Sequence, residues 1–395
     1  MTKNAVVFGA GRIARGFVGH LLGLDGYRTT FVDVDPGLVE ALDSAGKYTV
    51  HIMGAPEKSS IVRNVSAVLP DSDQLPQLLA DAEIVFVSVG GANLGSVARA
   101  LADGLQLRLR STDAPLNIVV CENWPSAGAT LRDALVAEFQ ERRLDYPSMR
   151  IGIAESTIMR SAVDATSEQL ADDPLAKQSQ DYWSLPVDAD ALVTELRGPR
   201  YVEPVEGFSN ALQRKLFTYN GGNATISYIG LLRGHELLSE AANDPAIVRL
   251  VHDYYAEVGE AMIRAHGYAR DEQEAYAAAA LAKFQDTSIV DPLSRQTRDP
   301  LRKLSRGDRL VGSAMFMYDE GIVPDAAATS IRAALELRDD EDPSAVKMSE
   351  IIRERGLGPA LAEIGGIPED HPLIDLVLSK TAVVDALRVD GGRRT

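Results

Sequence analysis

The sequence predicts an α/β protein: a doubly wound, mainly parallel sheet in residues 1–206, followed by an all-helical domain in residues 207–395. Two observations lead to this fold class. In the first part, five short apolar runs alternate with helical patterns, and repeated β-α-β units build a sheet that is covered by helices. From about Gly207 onward such runs disappear, and long amphipathic segments rich in alanine and leucine replace them.

The sheet is predicted from runs that are apolar along their whole length instead of alternating with polar residues. Such runs suit parallel strands that are buried on both faces, with helices such as "RGFVGHLLG" and "NLGSVARALADGL" in the gaps. We expect strands at Ala5–Gly9, Thr29–Val34, Glu83–Gly90, Leu116–Cys121 and Arg150–Ala154. The polar stretch "DATSEQLADDPLAKQSQDYW" that comes later is interpreted as a surface excursion.

The composition of the chain excludes several classes of protein. A formal net charge of −17 over 395 residues argues against nucleic acid or an anionic membrane as the main partner. The single cysteine, Cys121, excludes an internal disulfide and favours a reducing compartment. Because no signal-peptide pattern precedes the first strand either, we expect a cytoplasmic protein. No histidine lies at metal-ligand spacing from carboxylates and no heptad pattern occurs, so we expect no metal and a monomer.

The first strand leads directly into a glycine-rich loop that opens a helix, in "VVFGAGRIARGFVGHLL". Gly9 allows the tight turn, Gly11 lets a pyrophosphate approach the backbone, and a small residue at Ala14 lets the helix pack on the sheet. Free N–H groups and the helix dipole then attract the phosphates. Strand, loop and helix follow in the order that a Rossmann-type dinucleotide site requires.

The second strand ends at Asp33, about twenty residues after the loop. A carboxylate there accepts hydrogen bonds from a ribose 2′-OH and repels a 2′-phosphate, so NAD is favoured over NADP. We expect the cofactor to contact Gly9, Ala10, Gly11, Arg12, Ile13, Asp33, Val89 and Gly90. The alternative is a buried turn that binds nothing, with Arg12 as an ordinary solvated side chain.

The segment "RKLFTYNGGNATISYIG" gives contradictory local signals. Asn-Gly and Gly-Gly are typical of turns, yet both flanks are typical of helices. If the segment is helical, Lys215, Asn220 and Asn223 lie roughly on one side of it. The segment is either a solvated loop or a site where a ligand approaches the backbone closely at the two glycines, and the local signals leave both interpretations open.

Together with the glycine loop, several further motifs give the chain a resemblance to the mannitol dehydrogenases, the polyol-specific long-chain dehydrogenase family. The resemblance covers nearly the whole chain and rests on "FGAGRIARGFVG", "VDVDPGLVEAL", "NIVVCENW", "RKLFTYNGGNA", "GLLRGHE" and "RDPLRKLSRGDRL". It implies a Rossmann-type domain, a helical domain, a cleft between them, and metal-free hydride transfer to NAD. It also implies that Lys215 is the general base and that Asn220 and Asn123 hold the alkoxide. Mannitol 1-phosphate and fructose 6-phosphate are the default pair.

Two positions depart from the pattern of the family that the chain resembles. The family has a histidine where this chain has Asn223, and an aspartate where it has Met159, just before Arg160. The resemblance implies that these positions face the substrate, and we expect Arg160 to contact it as well. Asn223 can still bond to a hydroxyl, but Met159 cannot. A related substrate, such as a uronate, a cyclitol or another sugar phosphate, is therefore the first alternative.

A basic cluster lies between Arg295 and Arg309, where six Arg or Lys residues face only two Asp. Because guanidinium groups match phosphate oxygens, the cluster favours an anionic, phosphorylated substrate. We expect Arg298, Arg302 and Lys303 to contact it. The alternative is a solvated helix face whose charges are paired with acidic neighbours.

A protein that binds the dinucleotide without catalysis is the alternative from another functional class. Such a protein has no need of a base and two alkoxide donors, so Lys215, Asn220 and Asn123 argue against it.

Overall fold

The computed structural model describes residues 3–123, 126–196 and 198–388, and it contains two compact units, Met1–Ser209 and Asn210–Thr395. All strands found in the described residues belong to the first unit. They are β1 (Asn4–Phe8), β2 (Arg28–Val32), β3 (Lys47–Ile52), β4 (Ser60–Arg63), β5 (Val65–Val68), β6 (Ile84–Val87), β7 (Leu116–Val120), β8 (Ile151–Glu155), β9 (Ala162–Asp164), β10 (Lys177–Ser179), β11 (Leu185–Asp188) and β12 (Val202–Val205).

Six strands form a sheet in the order β5-β2-β1-β6-β7-β8, and every neighbouring pair is parallel. This is the strand order of a dinucleotide-binding sheet, with the topological switch point between β1 and β6. All five predicted strands belong to it. The predicted and observed ends of these strands differ by a few residues. For example, β6 was expected to reach Gly90 but stops at Val87, and Gly90 has a positive φ that does not suit a strand.

Alternate residues of the central strands pack into two different cores. Val7 and Phe86 belong to one apolar cluster, whereas Val6 and Val85 belong to the other. Because successive side chains of a strand point to opposite faces, the sheet is buried on both sides. This explains why these strands are apolar along their whole length, and it confirms the predicted doubly wound sheet.

A second sheet was not predicted from the sequence. Its order is β4-β3-β10-β9, and β11 and β12 form a parallel pair of their own. Strand β10 lies inside the polar stretch that was expected to be a surface excursion, so that expectation was wrong. Its polar residues can be buried because they have partners: Lys177 Nζ bonds to Asp164 at 2.7 Å, and the Ser179 hydroxyl donates to the carbonyl of Gly16 at 2.6 Å.

Among its described residues, the first unit also contains six α-helices. They are α1 (His20–Leu24), α2 (Pro36–Ala45), α3 (Leu75–Ala80), α4 (Leu94–Ser111), α5 (Ala127–Glu141) and α6 (Ser167–Asp172). A π-helical segment, Ala14–Gly19, joins the glycine loop to α1.

From Phe208 to the last described residue the chain is helical, as predicted. The helices are α7 (Phe208–Arg214), α8 (Gly221–Leu232), α9 (Leu238–Ala242), α10 (Pro245–His266), α11 (Arg270–Phe284), α12 (Leu293–Thr297), α13 (Pro300–Lys303), α14 (Val311–Asp319), α15 (Asp325–Ala334), α16 (Pro343–Arg355), α17 (Leu357–Gly365), α18 (Pro372–Ser379) and α19 (Thr381–Leu387). A second π-helical segment, Lys215–Asn220, joins α7 to α8. Helix α8 is buried from Gly221 to Gly230 and forms the centre of this core. Within the described ranges, no helix has the length and apolar character needed to cross a bilayer.

Candidate functional site

The glycine loop of the first unit leaves β1 at the switch point of the sheet. Gly9 has a φ of +88°, and a Cβ at this position would lie 2.1 Å from the carbonyl oxygen of Ser88, so no other residue fits. At Gly11, by contrast, no heavy atom lies within 4 Å of the position that a Cβ would occupy. Ala14 is fully buried at the start of the helix. The loop is therefore closed towards the sheet and open towards a ligand, as a pyrophosphate site requires.

Asp33 follows β2 directly and is bonded to the glycine loop. Its Oδ2 accepts the N–H of Ala10 at 2.6 Å, and its Oδ1 accepts the N–H of Asp35 at 3.0 Å. These two bonds fix the carboxylate beside the loop while it remains partly exposed. A carboxylate in this place can accept hydrogen bonds from a ribose.

Two arginines flank the same loop in different ways. Arg12 is 55% exposed, and its ion pair with Asp164, at 3.5 Å, is of the surface kind that contributes little. Its guanidinium can therefore turn to a phosphate. Arg15, which the sequence analysis did not single out, is buried and donates to the carbonyls of Ala10 and Leu175, each at 2.7 Å. Arg15 thus holds the loop in place.

Val89 and Gly90 lie after β6, on the other side of the switch point. Their N–H groups both donate to Oε1 of Glu122, at 2.6 and 2.8 Å. Burial raises the pKa of Glu122, although these two bonds oppose the rise. Glu122 precedes the exposed Asn123, so one short segment after β7 both ties down the β6 loop and presents the amide of Asn123.

The segment around Lys215 is not a solvated loop. The chain is helical from Phe208 to Leu232, and it changes to π-helical bonding over Lys215–Asn220. Local π-helical turns inside α-helices are frequent at functional sites. Lys215, Asn220 and Asn223 are all buried, with 8%, 9% and 8% of their surface exposed.

The two glycines of this segment make room for protein side chains. A Cβ on Gly221 would lie 1.8 Å from the hydroxyl oxygen of Tyr254, and a Cβ on Gly222 would lie 2.4 Å from that of Tyr255. Both tyrosines belong to α10. The interpretation that the glycines admit a ligand was therefore wrong, because tyrosine rings occupy that space.

Lys215 has the electrostatic character of a general base. Burial, together with the positive charges of Arg309 and Lys283, lowers the pKa of Lys215 to about 7. The structure shows no hydrogen bond or ion pair of the Lys215 or Asn220 side chain with any described residue. A substantial fraction of Lys215 is therefore uncharged at neutral pH and can accept a proton. Asn220 can donate to an oxyanion without titrating.

The two departures from the family pattern lie in different environments. Asn223 accepts a long hydrogen bond from the Ser227 hydroxyl, at 3.5 Å. Met159 is half-buried in the first unit, where the hydroxyl of Tyr182 lies 3.7 Å from its sulfur. A polyol hydroxyl at Met159 would thus meet a thioether, a weak acceptor.

Arg160 lies in the core of the first unit. It is 1% exposed, its Nη2 lies 3.0 Å from Nδ1 of His20, and its guanidinium is 5.3 Å from the ring of Phe17 and 4.9 Å from that of Trp183. Burial lowers the pKa of Arg160 to about 10, and burial also lowers that of His20 to about 3, so His20 is neutral. Arg160 is thus a buried cation that packs between two aromatic rings.

Most of the basic cluster is neutralised within the second unit. Arg302 bonds to Asp299 and Asp308, both at 2.6 Å, and Arg295 bonds to Asp291 through two nitrogens. Lys303 is 5% exposed, donates to the carbonyl of Gln296, and has its pKa lowered by burial to about 7. Of the three residues expected to bind an anion, only Arg298 is exposed.

Sequence reasoning did not identify Lys283 and Arg309 as neighbours of Lys215. Arg309 was noticed only as a member of the basic cluster, and Lys283 lies in the alanine-rich helix α11, where no local pattern distinguishes it. Burial lowers the pKa of Lys283 to about 8. Among the described residues, no group of three or more His, Cys, Asp or Glu side chains is placed to hold a metal ion.

Comparisons with known proteins cover both units. The family model described as the mannitol dehydrogenase Rossmann domain matches residues 3–197, and the mannitol dehydrogenase C-terminal domain matches residues 208–361. The mannitol-1-phosphate 5-dehydrogenase of Bacillus licheniformis is 33% identical over 380 residues, which are 95% of this chain and 98% of the relative. That of Thermoanaerobacter pseudethanolicus is 32% identical over 382 residues, 95% of this chain and 97% of the relative.

A solved structure has the same fold. The mannitol 2-dehydrogenase of Pseudomonas fluorescens, in a ternary complex with NAD and D-mannitol, matches 99% of this chain and 93% of its own with a TM-score of 0.75. The two sequences are 18% identical.

Proposed function

The chain belongs to the mannitol dehydrogenase family, and on this premise we propose that it interconverts a polyol phosphate and a ketose phosphate by hydride transfer with NAD. Mannitol 1-phosphate and fructose 6-phosphate are the first pair to test, since relatives at about one-third identity carry the name mannitol-1-phosphate 5-dehydrogenase. In this proposal residues 1–206 bind the cofactor and residues 207–395 carry the base.

One observation supports the catalytic part of the proposal above all others. Lys215 is buried in a π-helical turn with a pKa lowered to about 7, and no carboxylate is paired with it among the described residues. A structural lysine in a protein core is normally paired. An amine that is kept near neutrality, in the same π-helical turn as Asn220, suits proton transfer.

The proposed chemistry assigns a step to each side chain. NAD supplies the acceptor for the hydride that leaves the carbinol carbon. Lys215 takes the proton of the hydroxyl at its Nζ, so that the carbon–oxygen bond can become a carbonyl. Asn220 and Asn123 donate to the oxygen while it carries negative charge. In the reverse direction protonated Lys215 returns the proton, and no metal takes part.

The proposed cofactor site uses the open side of the glycine loop. Gly9 and Ala10, whose N–H groups are bonded to Val32 and Asp33, shape the turn beside the pyrophosphate. Gly11 and Ile13 offer backbone to it, with the exposed Arg12 as a cation. Asp33 takes the ribose hydroxyl groups and disfavours NADP. Val89 and Gly90 form the far wall, where Glu122 fixes their backbone.

A second candidate is a family member with a changed substrate, such as a uronate, a cyclitol or another sugar phosphate. Met159 and Asn223 favour it, because a thioether and an amide replace an aspartate and a histidine that the family pattern carries. The pairing of Arg302 with two aspartates also leaves Arg298 as the exposed one among the three cations expected to contact a phosphate. A dinucleotide-binding protein without catalysis is the third candidate.

The test is NADH oxidation by the purified protein with fructose 6-phosphate, with free fructose and a panel of phosphorylated and carboxylated ketones alongside. Rapid oxidation with fructose 6-phosphate alone supports the first candidate. Turnover only with another ketone supports the second. Binding of NADH without turnover on any ketone supports the third. Sedimentation of the protein at working concentration tests the proposed monomer, and fractionation of its host tests the proposed cytoplasmic location.

A further inference from the structure

We propose that Tyr254 is a positioning residue, whose hydroxyl maintains the π-helical turn Lys215–Asn220 and so sets the positions of Lys215 and Asn220. The inference rests on the proposed function, in which Lys215 is the base. Tyr254 itself touches neither substrate nor cofactor in this proposal. It acts through the backbone of the turn.

The hydroxyl of Tyr254 takes part in the hydrogen bonding that distinguishes the turn from an α-helix. In an α-helix the N–H of Gly221 would bond to the carbonyl of Phe217, four residues earlier. Here the N–H of Gly221 instead bonds to the carbonyls of Leu216 and Thr218. The carbonyl of Phe217 accepts the hydroxyl of Tyr254, at 2.5 Å. A side chain inserted into the bonding pattern of a helix is a recognised cause of such local distortions.

Gly221 is the matching feature on the helix. A Cβ at this position would lie 1.8 Å from the hydroxyl oxygen of Tyr254. The hydroxyl therefore occupies the place that any other side chain would fill. Glycine destabilises the interior of a helix, but its lack of a side chain here leaves room for the hydroxyl of Tyr254.

Tyr254 is suited to act as a permanent donor. It is 1% exposed in the middle of α10, and burial raises its pKa well above the ordinary value, so the phenol stays protonated. The hydroxyl of Tyr254 therefore keeps the proton that it donates to the carbonyl of Phe217.

The geometry of the turn matters because Lys215 and Asn220 are its first and last residues. An α-helix would not place Lys215 and Asn220 on one side, as we expected from the sequence, because side chains five residues apart point about 140° away from each other. Bonding between residues five apart, as in a π-helical turn, brings them towards the same face. Loss of the turn would therefore separate the proposed base from the proposed alkoxide donor.

The experiment compares Tyr254→Phe with Tyr255→Phe. Both remove one buried phenol oxygen from adjacent positions of α10, but the Tyr255 hydroxyl has no hydrogen-bond partner among the described residues. We expect Tyr254→Phe to lower kcat by at least about tenfold and to shift the pH profile of kcat/KM, with KM for NAD unchanged. Tyr255→Phe should leave kcat, the pH profile of kcat/KM and KM for NAD as they are in the wild type. Equal kinetics for the two variants would overturn the proposal.

A second measurement does not depend on turnover. In a crystal structure of Tyr254→Phe we expect the N–H of Gly221 to bond to the carbonyl of Phe217, as in an α-helix. An unchanged π-helical turn in that structure would refute the positioning role, whatever the kinetics show. Lys215→Ala distinguishes failure of the proposed function from failure of this inference. Full turnover in that variant would reject Lys215 as the base, but it would not affect the structural result for Tyr254.

Discussion

The carboxylate of Asp33 accepts the backbone N–H of Ala10 at 2.6 Å and so ties the end of β2 to the glycine loop that follows β1. The second oxygen accepts the N–H of Asp35 at 3.0 Å. Asp33 and Asp35, the first and third residues after β2, both have backbone partners, but they serve different elements. Asp33 holds the loop, whereas Asp35 caps helix α2 by accepting the N–H groups of Gly37 and Leu38.

Asp33→Asn should weaken the preference for NAD over NADP. The amide keeps the size of the side chain but loses the charge that repels a 2′-phosphate, so we expect the ratio of kcat/KM for NAD to that for NADP to fall about tenfold or more. Steady-state kinetics with both cofactors measure it. Asp35→Asn is the matched control, and it should leave the ratio as it is. An equal change in both variants would mean that Asp33 acts only on the fold.

Lys215→Ala should lower kcat by roughly 10²–10⁴-fold while leaving the affinity for NADH nearly intact, because only the proton-transfer step is lost. The affinity can be followed by NADH fluorescence. Lys347→Ala is the control: that side chain is 63% exposed and pairs with Glu350 at 3.6 Å. Loss of NADH binding in the Lys215 variant would contradict the assignment.

The pH dependence of the wild-type enzyme should follow the lowered pKa of Lys215, about 7. Polyol oxidation needs the uncharged amine, so kcat/KM should rise with pH and level off above about 7. Ketone reduction needs the protonated amine, so its kcat/KM should fall over the same range. Two profiles that run in the same direction would exclude a single acid–base group.

The same lowered pKa affects stability. The pKa of Lys215 is about 7 in the folded chain against an ordinary value of 10.5, so the unfolded chain binds more protons between these values. The contribution of Lys215 therefore destabilises the fold at pH 7 and below, and this penalty disappears as the pH rises towards 10.5. We expect Lys215→Met to raise the free energy of unfolding by on the order of a few kcal/mol at pH 6, and by little at pH 10. Urea unfolding followed by circular dichroism tests this; a gain that is equal at both pH values would not be due to charge.

Gly222→Ala should destabilise the second unit, since its Cβ would lie 2.4 Å from the hydroxyl oxygen of Tyr255 in a packed core. Overpacking of this kind costs about 1–3 kcal/mol. Gly95→Ala, in helix α4, is the opposite case: nothing lies within 4 Å of its Cβ position, and we expect a gain of about 0.4–1 kcal/mol. Thermal unfolding of both variants distinguishes them, and a midpoint for Gly222→Ala at or above that of wild type would show that α10 moves away at little cost.

The parts of the molecule that local chemistry determines could be predicted. Gly9 and the apolar run before it indicate a strand, a turn and a helix, and the sheet followed from repeats of this unit. Strand β10 could not be predicted, because Lys177 and Ser179 become strand residues only through partners at Asp164 and Gly16. The glycines at 221 and 222 were recognised as unusual but misinterpreted. Their neighbours, Tyr254 and Tyr255, are more than thirty residues away in sequence, and no local pattern connects them.

The packing of Trp183 against Arg160, His20 and Tyr201 has a practical consequence for spectroscopy. The chain has two tryptophans, Trp124 and Trp183, and both belong to the first unit. Indole emission will therefore report the melting of that unit alone. The helical unit has tyrosines but no tryptophan in its sequence, so it contributes no indole emission. Emission and ellipticity recorded on one sample will thus compare the melting of the first unit with that of the whole chain.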